Sequence, residues 1–321
     1  MNGMKYHKDR RRFLYKTSLA SVGAIVALPL FSLGKLKVDA TSVRLVIDAD
    51  TANEVDDAFA IVRALVEPTF KIEGLTSAQW HTQAKAPNDS VGRSQIMNEQ
   101  LLQLMGKSEI PHPMGSNIPM VSQERPQPSA AASFIIQKAH QSPPGEKLTV
   151  VTLGPNTNVA SAILMDPTIV PKLKCIYLGL WYNLEDQTWS KREFNTDNDP
   201  NALNLLLNTQ NLEIEVMTAT TSKSLVFEKN KVDEEFKAKG GVFDYLVDLW
   251  DSYDRFWQKT DPEKKQWTMW DVALIEALAK PHLTQKKKVI TPHDNFKREI
   301  EIYTAIDENA LQEDFWNSFK P

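Results

Sequence analysis

Val43-Arg44-Leu45-Val46-Ile47, then Asp48-Ala49-Asp50-Thr51-Ala52-Asn53-Glu54-Val55-Asp56-Asp57, then Ala58-Phe59-Ala60-Ile61-Val62-Arg63-Ala64-Leu65-Val66: the rest of the chain is organised around this stretch. The first segment is a short apolar run of strand length, and the last has helical spacing. Five carboxylates (Asp48, Asp50, Glu54, Asp56 and Asp57) therefore fall where a strand gives way to a helix. Packed that closely at neutral pH they repel one another unless a cation or shared protons relieve them. Calcium and magnesium take hard oxygen ligands, so a divalent cation is the natural partner. The plainer alternative is a solvated acidic turn in which Asp56 and Asp57 favour a helix N-terminus.

Outward from this stretch, short apolar runs alternate with helical patterns. Strands are expected at 44–48, 71–76, 148–153, 174–180 and 213–217, and helices at 56–66, 90–105, 129–140, 158–165 and 200–207. Such alternation implies an α/β fold: one domain, a mainly parallel central sheet and helices on both faces. Ligands of such sheets bind outside the carboxyl ends of the strands, which is where the acidic stretch lies. Beyond about Thr221 the chain becomes helix-rich and aromatic, with Phe243, Tyr245, Trp250, Tyr253, Phe256 and Trp257 at core spacing. Two runs, Lys286–Ile290 and Lys297–Tyr303, flank Pro292-His293-Asp294-Asn295 and read as a hairpin.

The first 40 residues form a separate unit. Lys8-Asp9-Arg10-Arg11-Arg12-Phe13-Leu14 precedes an apolar run from Leu19 to Leu33, and Val38-Asp39-Ala40 is a small-residue cleavage site. This order describes an export signal, and the paired arginines are similar to a twin-arginine signal. The run is shorter than the roughly 20 residues of a membrane span. The expectation is therefore residues 1–40 as signal and 41–321 as the functional domain, periplasmic or otherwise exported, without a stable membrane anchor. An uncleaved signal anchor is the alternative.

Of 321 residues, 42% are hydrophobic and 24% charged, and the formal charge is −4. The leading segment carries eight Lys/Arg and two Asp, so its removal leaves −10. A protein that acidic is poorly suited to nucleic-acid backbones. Cys175, the single cysteine, lies in an apolar run and reads as a buried, inert thiol.

Asp48-Ala49-Asp50 with Asp56-Asp57 after an apolar strand resembles the N-terminal signature of the nucleoside hydrolase family, inosine/uridine-preferring type. That family usually leaves three residues between its second and third aspartates; here Thr51-Ala52-Asn53-Glu54-Val55 stand between them, which resembles a branch with an Asn-Glu insert. Three further segments follow in the family's order. Leu153-Gly154-Pro155-Asn156-Thr157-Asn158 is similar to its Gly-Pro-Leu-Thr-Asn segment, Glu193-Phe194-Asn195 with Asp199-Pro200-Asn201-Ala202 to its Glu-Phe-Asn…Asp-Pro-x-Ala motif, and Trp270-Asp271-Val272-Ala273 to its His-Asp-x-x-Ala motif.

The resemblance implies calcium-dependent hydrolysis of the N-glycosidic bond of a ribonucleoside. It implies calcium ligation by Asp50, Asp57, Asp271 and the Leu153 carbonyl, with Asp50 also activating water. Asp56, Glu193 and Asn195 would hold the sugar, and Asp48 would brace the loop from behind. Trp270 stands where many members carry a His that protonates the leaving base, and an indole cannot supply an acidic proton. His81 is a candidate in its place, or an ordinary surface or capping His. Trp80 and Trp270 are the preferred candidates for stacking on the base, ahead of Trp181, Tyr182 and Trp189. The partner is a small nucleoside or ribosyl compound, and association into a homo-oligomer is left open. Two rivals remain: a non-catalytic ribosyl- or carbohydrate-binding protein of the same fold, and a phosphatase of the haloacid-dehalogenase type. The latter places Thr or Val two residues beyond its second aspartate, whereas Thr51 follows Asp50 immediately.

Overall fold

The computed structural model describes residues 42–83, 86–255 and 258–320. The expected signal segment, together with Phe256 and Trp257, lies outside the described residues. The chain opens with β1 (Val43–Ala49), α1 (Asp56–Val66), β2 (Phe70–Ser77), α2 (Ser90–Leu104), α3 (Ala130–His140), β3 (Leu148–Thr152) and α4 (Thr157–Met165). It continues with β4 (Leu173–Leu178), β5 (Trp181–Asn183), β6 (Thr188–Ser190), α5 (Phe194–Asn198), α6 (Pro200–Asn208), β7 (Glu213–Met217) and α7 (Ala219–Ser222). The last third holds β8 (Val226–Glu228), α8 (Lys229–Phe236), α9 (Gly241–Ser252), β9 (Gln266–Thr268), α10 (Trp270–Ala279), β10 (Thr284–Ile290), β11 (Glu299–Ile306) and α11 (Glu308–Asn317).

Seven strands form the central sheet in the order β10-β11-β7-β4-β3-β1-β2. All neighbours pair in parallel except β10 with β11, which form the hairpin expected at the C-terminus. The period-2 alternation of β1 sends Leu45, Ile47 and Ala49 into one core and Val46 into the other. Likewise Val151, Ile176 and Leu178 face the first core, while Val150, Cys175 and Tyr177 face the second. A sheet buried on both faces needs helices on both, which is the α/β architecture expected. Cys175 is buried and its thiol is pushed up to about 12 by that burial, so it is the inert side chain anticipated.

The five strands and five helices expected before Thr221 are met within one or two residues at each end, while the second hairpin strand, expected at Lys297–Tyr303, runs Glu299–Ile306. The strand expected to reach Leu180 stops at Leu178, where the chain turns through a positive φ of 61° at Leu180. Helices α8 and α11 and the hairpin β5–β6 add to that outline. Among the described residues no helix is long and apolar enough to cross a membrane.

Candidate active site

The loops after β1, β3, β4 and β7 converge on one cavity of about 280 Å3. Asp50 follows β1, Leu153 follows β3, Leu178 ends β4 and Ala219 lies just past β7, and all four line it. β1 is flanked by β2 on one side and β3 on the other, so the chain adds its second strand to one edge of β1 and the third to the opposite edge. The cavity thus sits at a change of winding, where a doubly wound sheet opens a crevice.

Two helix N-termini supply the rest of its acidic side. Asp56 and Asp57 open α1, Asp271 is the second residue of α10, and these two helices pack on each other. The Asp271 backbone N–H donates to Asp56 Oδ2 at 3.1 Å, which ties the two first turns together. Carboxylate oxygens of Asp56, Asp57 and Asp271 lie within 4.8 Å of one another, and all three residues are buried. The helix dipoles favour anions here, but they do not neutralise three adjacent charges. Burial first, then the charge of Asp57, holds the Asp50 carboxyl well above its ordinary range. Burial and then Asp56 do the same to Asp57, and burial and then Asp57 to Asp271. Asp56 is pushed up to about 6, chiefly by burial.

The donor set fits a hard cation. Asp50 Oδ2, Asp57 Oδ1 and Asp271 Oδ1 are buried and without a hydrogen-bond partner, three oxygens from the three aspartates expected to ligate. Buried carboxylate oxygens left without donors are costly, and an oxygen-seeking divalent ion supplies what they lack. Among the described residues, the carboxylates whose oxygens lie within 4.8 Å of one another are Asp56, Asp57 and Asp271, and Asp50, expected as a ligand, lies outside that group. The Leu153 carbonyl accepts from Asn195 Nδ2 at 2.6 Å, and its second lone pair stays available to a cation.

Asp48, by contrast, is absent from the cavity lining. Its Oδ1 accepts from Thr76 Oγ1 at 2.6 Å and Asn158 Nδ2 at 2.9 Å, so it braces the end of β1 from β2 and α4. Asn158 also donates to the Ser77 carbonyl, which gives the Gly-Pro-Asn-Thr-Asn segment its structural role. Gly154 of that segment is needed for space: a Cβ there would lie 2.8 Å from Asp50 Oδ1.

Glu193 and Asn195 lie on the opposite part of the lining. Glu193 is the N-cap of α5: Oε1 accepts from the Asn195 N–H at 3.1 Å and Oε2 from the Thr196 N–H at 3.1 Å. Burial raises its carboxyl, and these bonds oppose the rise. Asp199 caps α6 in the same way and also accepts from Thr157 Oγ1 at 2.7 Å, joining this loop to the one after β3.

The aromatic side of the cavity is made by Trp270 and Trp181, edge to face with ring centroids 6.1 Å apart. The Trp181 indole N–H is held by the Arg192 carbonyl at 3.1 Å. Trp80 and His81 are not among the lining residues. They follow β2, the outermost strand, and the Trp80 backbone N–H bonds Ser90 Oγ at the start of α2. The His81 backbone N–H bonds Gln79 Oε1, and its Nδ1 is buried without a partner. Trp181, lower in the sequence-based order than Trp80, is thus the indole that meets Trp270. Tyr182 and Trp189 pack on each other with centroids 4.5 Å apart, in the β5–β6 hairpin.

The Asn53-Glu54 insert lies in the lining and is clamped from the aromatic C-terminal region. Trp267 Nε1 donates to Glu54 Oε2 at 3.1 Å, and the Tyr253 hydroxyl donates to the Asn53 carbonyl. Arg255 stacks over the Trp267 ring, 4.3 Å from its centroid. Burial, then the charge of Asp56, pushes Glu54 up to about 8. Arg192 and Phe194 also line the cavity and were not singled out in the sequence; they flank Glu193, which was the available signal.

Comparison with known proteins agrees with this geometry. The sequence model of the family described as inosine-uridine preferring nucleoside hydrolase matches residues 45–311. The chain is 26% identical over 307 residues to the probable uridine nucleosidase 1 of Oryza sativa subsp. japonica, covering 87% of this chain and 90% of that protein. It is 25% identical over 272 residues to uridine nucleosidase 1 of Arabidopsis thaliana, covering 77% of each. Its fold is similar to that of a plant nucleoside hydrolase, the PpNRh1 enzyme, with a TM-score of 0.68 at 17% identity over 86% of this chain and 98% of that one. An inosine-guanosine nucleoside hydrolase gives a TM-score of 0.66 at 15% identity, with the same coverage of both chains. With four motifs drawn to one cavity and a family match that runs from the first strand into the last helix, the chain belongs to the inosine-uridine preferring nucleoside hydrolase family.

Proposed function

We propose that the cavity hydrolyses the N-glycosidic bond of ribosides, with calcium held by Asp50, Asp57, Asp271 and the Leu153 carbonyl. The observation that carries this reading is the set of three partnerless buried oxygens on those three aspartates, beside a cavity large enough for a ribosyl group. Membership of the family makes the chain a ribonucleoside N-glycosidase. A divalent ion, when bound, supplies Lewis acidity toward the attacking water and a grip on the sugar hydroxyls.

The protein's own groups do the rest. Asp50, at the end of β1, accepts the proton of the water that attacks the anomeric carbon. Asp56 accepts from a ribose hydroxyl, its other oxygen being held by the Asp271 N–H. Glu193, its orientation set by the first turn of α5, takes another hydroxyl, and Asn195, both of whose Nδ2 hydrogens are held by the Leu153 and Leu178 carbonyls, offers its Oδ1 as an acceptor on the ring side. Trp270 and Trp181 stack on the base. Residues 1–40 we propose as a twin-arginine-type export signal, supported by Arg10-Arg11 before the apolar run; fractionation of cells expressing the full chain tests it, and a purely cytoplasmic mature protein refutes it.

The direct test is base release from uridine and inosine by the purified protein, after EDTA and after calcium is restored. Release that EDTA stops and calcium recovers is expected. Tight ribose binding without any release would replace the enzyme by a binding protein, and release indifferent to EDTA would remove the ion.

A further inference from the structure

Tyr177, on the central strand β4, is 0% exposed among the aliphatic side chains of the second core. A Phe would fill that place equally well, so the hydroxyl alone needs a partner there. It finds one in the turn that carries Glu193. Tyr177 Oη lies 2.8 Å from Thr196 Oγ1, and Thr196 Oγ1 donates to Glu193 Oε2 at 3.1 Å. Thr196 has one hydroxyl proton, and with that proton on Glu193 the phenol is the donor to Thr196. A relay of two hydroxyls therefore runs from the middle of the sheet to the cavity. It is sealed from water, since Thr196 is 1% exposed. Gly179 leaves room for the phenol tip: a Cβ there would overlap Tyr177 Cζ and Oη. Glu193 Oε2 is thus held by both the N–H and the hydroxyl of Thr196, while Oε1 is held by the Asn195 N–H.

We propose, on the reading that Glu193 takes a sugar hydroxyl, that Tyr177 is a positioning residue for sugar recognition. Its phenol fixes Thr196, Thr196 fixes the Glu193 carboxylate, and the site's demand for one ribose hydroxyl is set from inside the sheet. No proton moves along the relay; each hydroxyl is a donor of fixed direction. Polarised by the phenol, the Thr196 hydroxyl is a stronger donor to Glu193 than it is alone. The acceptor capacity left on the carboxylate is aimed at one point of the cavity, and a sugar lacking a hydroxyl there leaves it unpaired.

The test measures kcat/KM of the full-length, calcium-supplied protein on uridine or inosine, whichever it cleaves faster, and on the 2′-, 3′- and 5′-deoxy analogues of that nucleoside. Each deoxy penalty is a ratio within one variant and is then compared between variants, so the different labilities of the glycosidic bonds cancel. Glu193→Gln identifies the hydroxyl that Glu193 holds as the one whose penalty shrinks most. Tyr177→Phe should shrink that same penalty by roughly 2- to 13-fold, the worth of one hydrogen bond, and leave the other two within about twofold. Thr196→Val should do the same, and Thr196→Ser, which keeps the hydroxyl, should restore the penalty; a thermal melt checks that each variant is folded. Unchanged penalties in Tyr177→Phe and Thr196→Val, or three penalties shrunk alike, overturn the proposal and leave the glycosidase standing. If Glu193→Gln alters no penalty, Glu193 takes no hydroxyl and the proposal falls with that assignment. Cleavage of no nucleoside at all removes the enzymatic reading as well.

Discussion

Gly154→Ala is a one-methyl perturbation aimed at Asp50, the proposed general base, without touching its chemistry. An ideal Cβ at Gly154 lies 2.8 Å from Asp50 Oδ1, 2.9 Å from its Cγ and 3.0 Å from its Cβ, whereas ordinary contact begins at 3.4 Å. The carboxylate must therefore retreat by about 0.6 Å, and because the Asp50 Cβ is also crowded, a rotation of the carboxylate alone does not relieve the clash. Asp50 is 1% exposed, so its surroundings resist the move. A misplacement of about 1 Å can cost about 10²-fold in rate, so kcat should fall about 10- to 100-fold on the riboside that the parent turns over fastest. Overpacking of this kind costs about 1–3 kcal/mol, or a Tm lower by about 2–12 °C at 2–4 °C per kcal/mol. The assay is kcat and KM beside a thermal melt of the same preparation. A variant that melts as a folded protein and keeps kcat within about twofold of the parent would refute the claim that this close approach fixes the base.

Asp50→Asn keeps the shape and removes the base, so turnover should drop by about 10²–10⁴-fold with the melt little changed; near-normal turnover sinks the assignment. Trp270→Ala should raise KM while leaving calcium affinity as it was, and a calorimetric titration showing lost calcium binding with unchanged KM would count against it. Arg63→Met strips the shared cation from Glu67, Glu276 and Asp314, which it meets at 2.8, 2.6 and 2.7 Å. Breaking a buried pair on one side costs about 3–5 kcal/mol, measured as a fall in the urea midpoint; a loss below about 1 kcal/mol would show that the three carboxylates find other partners. Burial raises the Glu73 carboxyl, but hydrogen bonds from Lys71, Lys138 and Arg44 outweigh it and hold the group at about 2. Its folded pKa lies below its unfolded value, so its contribution is present above about pH 4.5 and is lost as pH falls toward 2. With Lys71 half exposed the pair is screened, and the contribution is about 1 kcal/mol. The stability gap between the parent and Glu73→Gln should narrow from pH 5 to pH 3; a gap constant over that range refutes the assignment.

What was legible in the sequence was what local pattern encodes. Val43–Ile47 is apolar nearly throughout because both faces of β1 are buried by different partners, and Asp56 with Asp57 begins a helix because two acidic residues suit its first turn. The four motifs could be placed at strand ends, and the sheet's winding brings strand ends together. Contacts between distant segments left no such trace. Trp80 and Trp181 both follow strands and look alike as candidates, but β2 is an outer strand and β4 is central, and only the topology separates them. The clamp on the insert joins Glu54 to Trp267, 213 positions apart, and nothing local to either residue points to the other.

Arg63 shows most clearly why such contacts matter to the site. In the sequence it merely interrupts an apolar helix, yet it is 1% exposed. Its guanidinium joins α1 to Glu276 of α10, and the same two helices carry Asp57 and Asp271 at their N-termini. The acidic ends repel until an ion arrives, so something behind them must hold the helices in register. Arg63 lies about two turns from Asp56, and Glu276 between one and two turns from Asp271. The ion pair therefore closes the helix pair at a distance from the carboxylates and without competing for them. A buried cation at that position offsets on the far side the repulsion among the carboxylates of the proposed metal site on the near side. Calcium binding should accordingly weaken in Arg63→Met even though no ligand is altered, because the ligands would no longer be held in place before the ion binds.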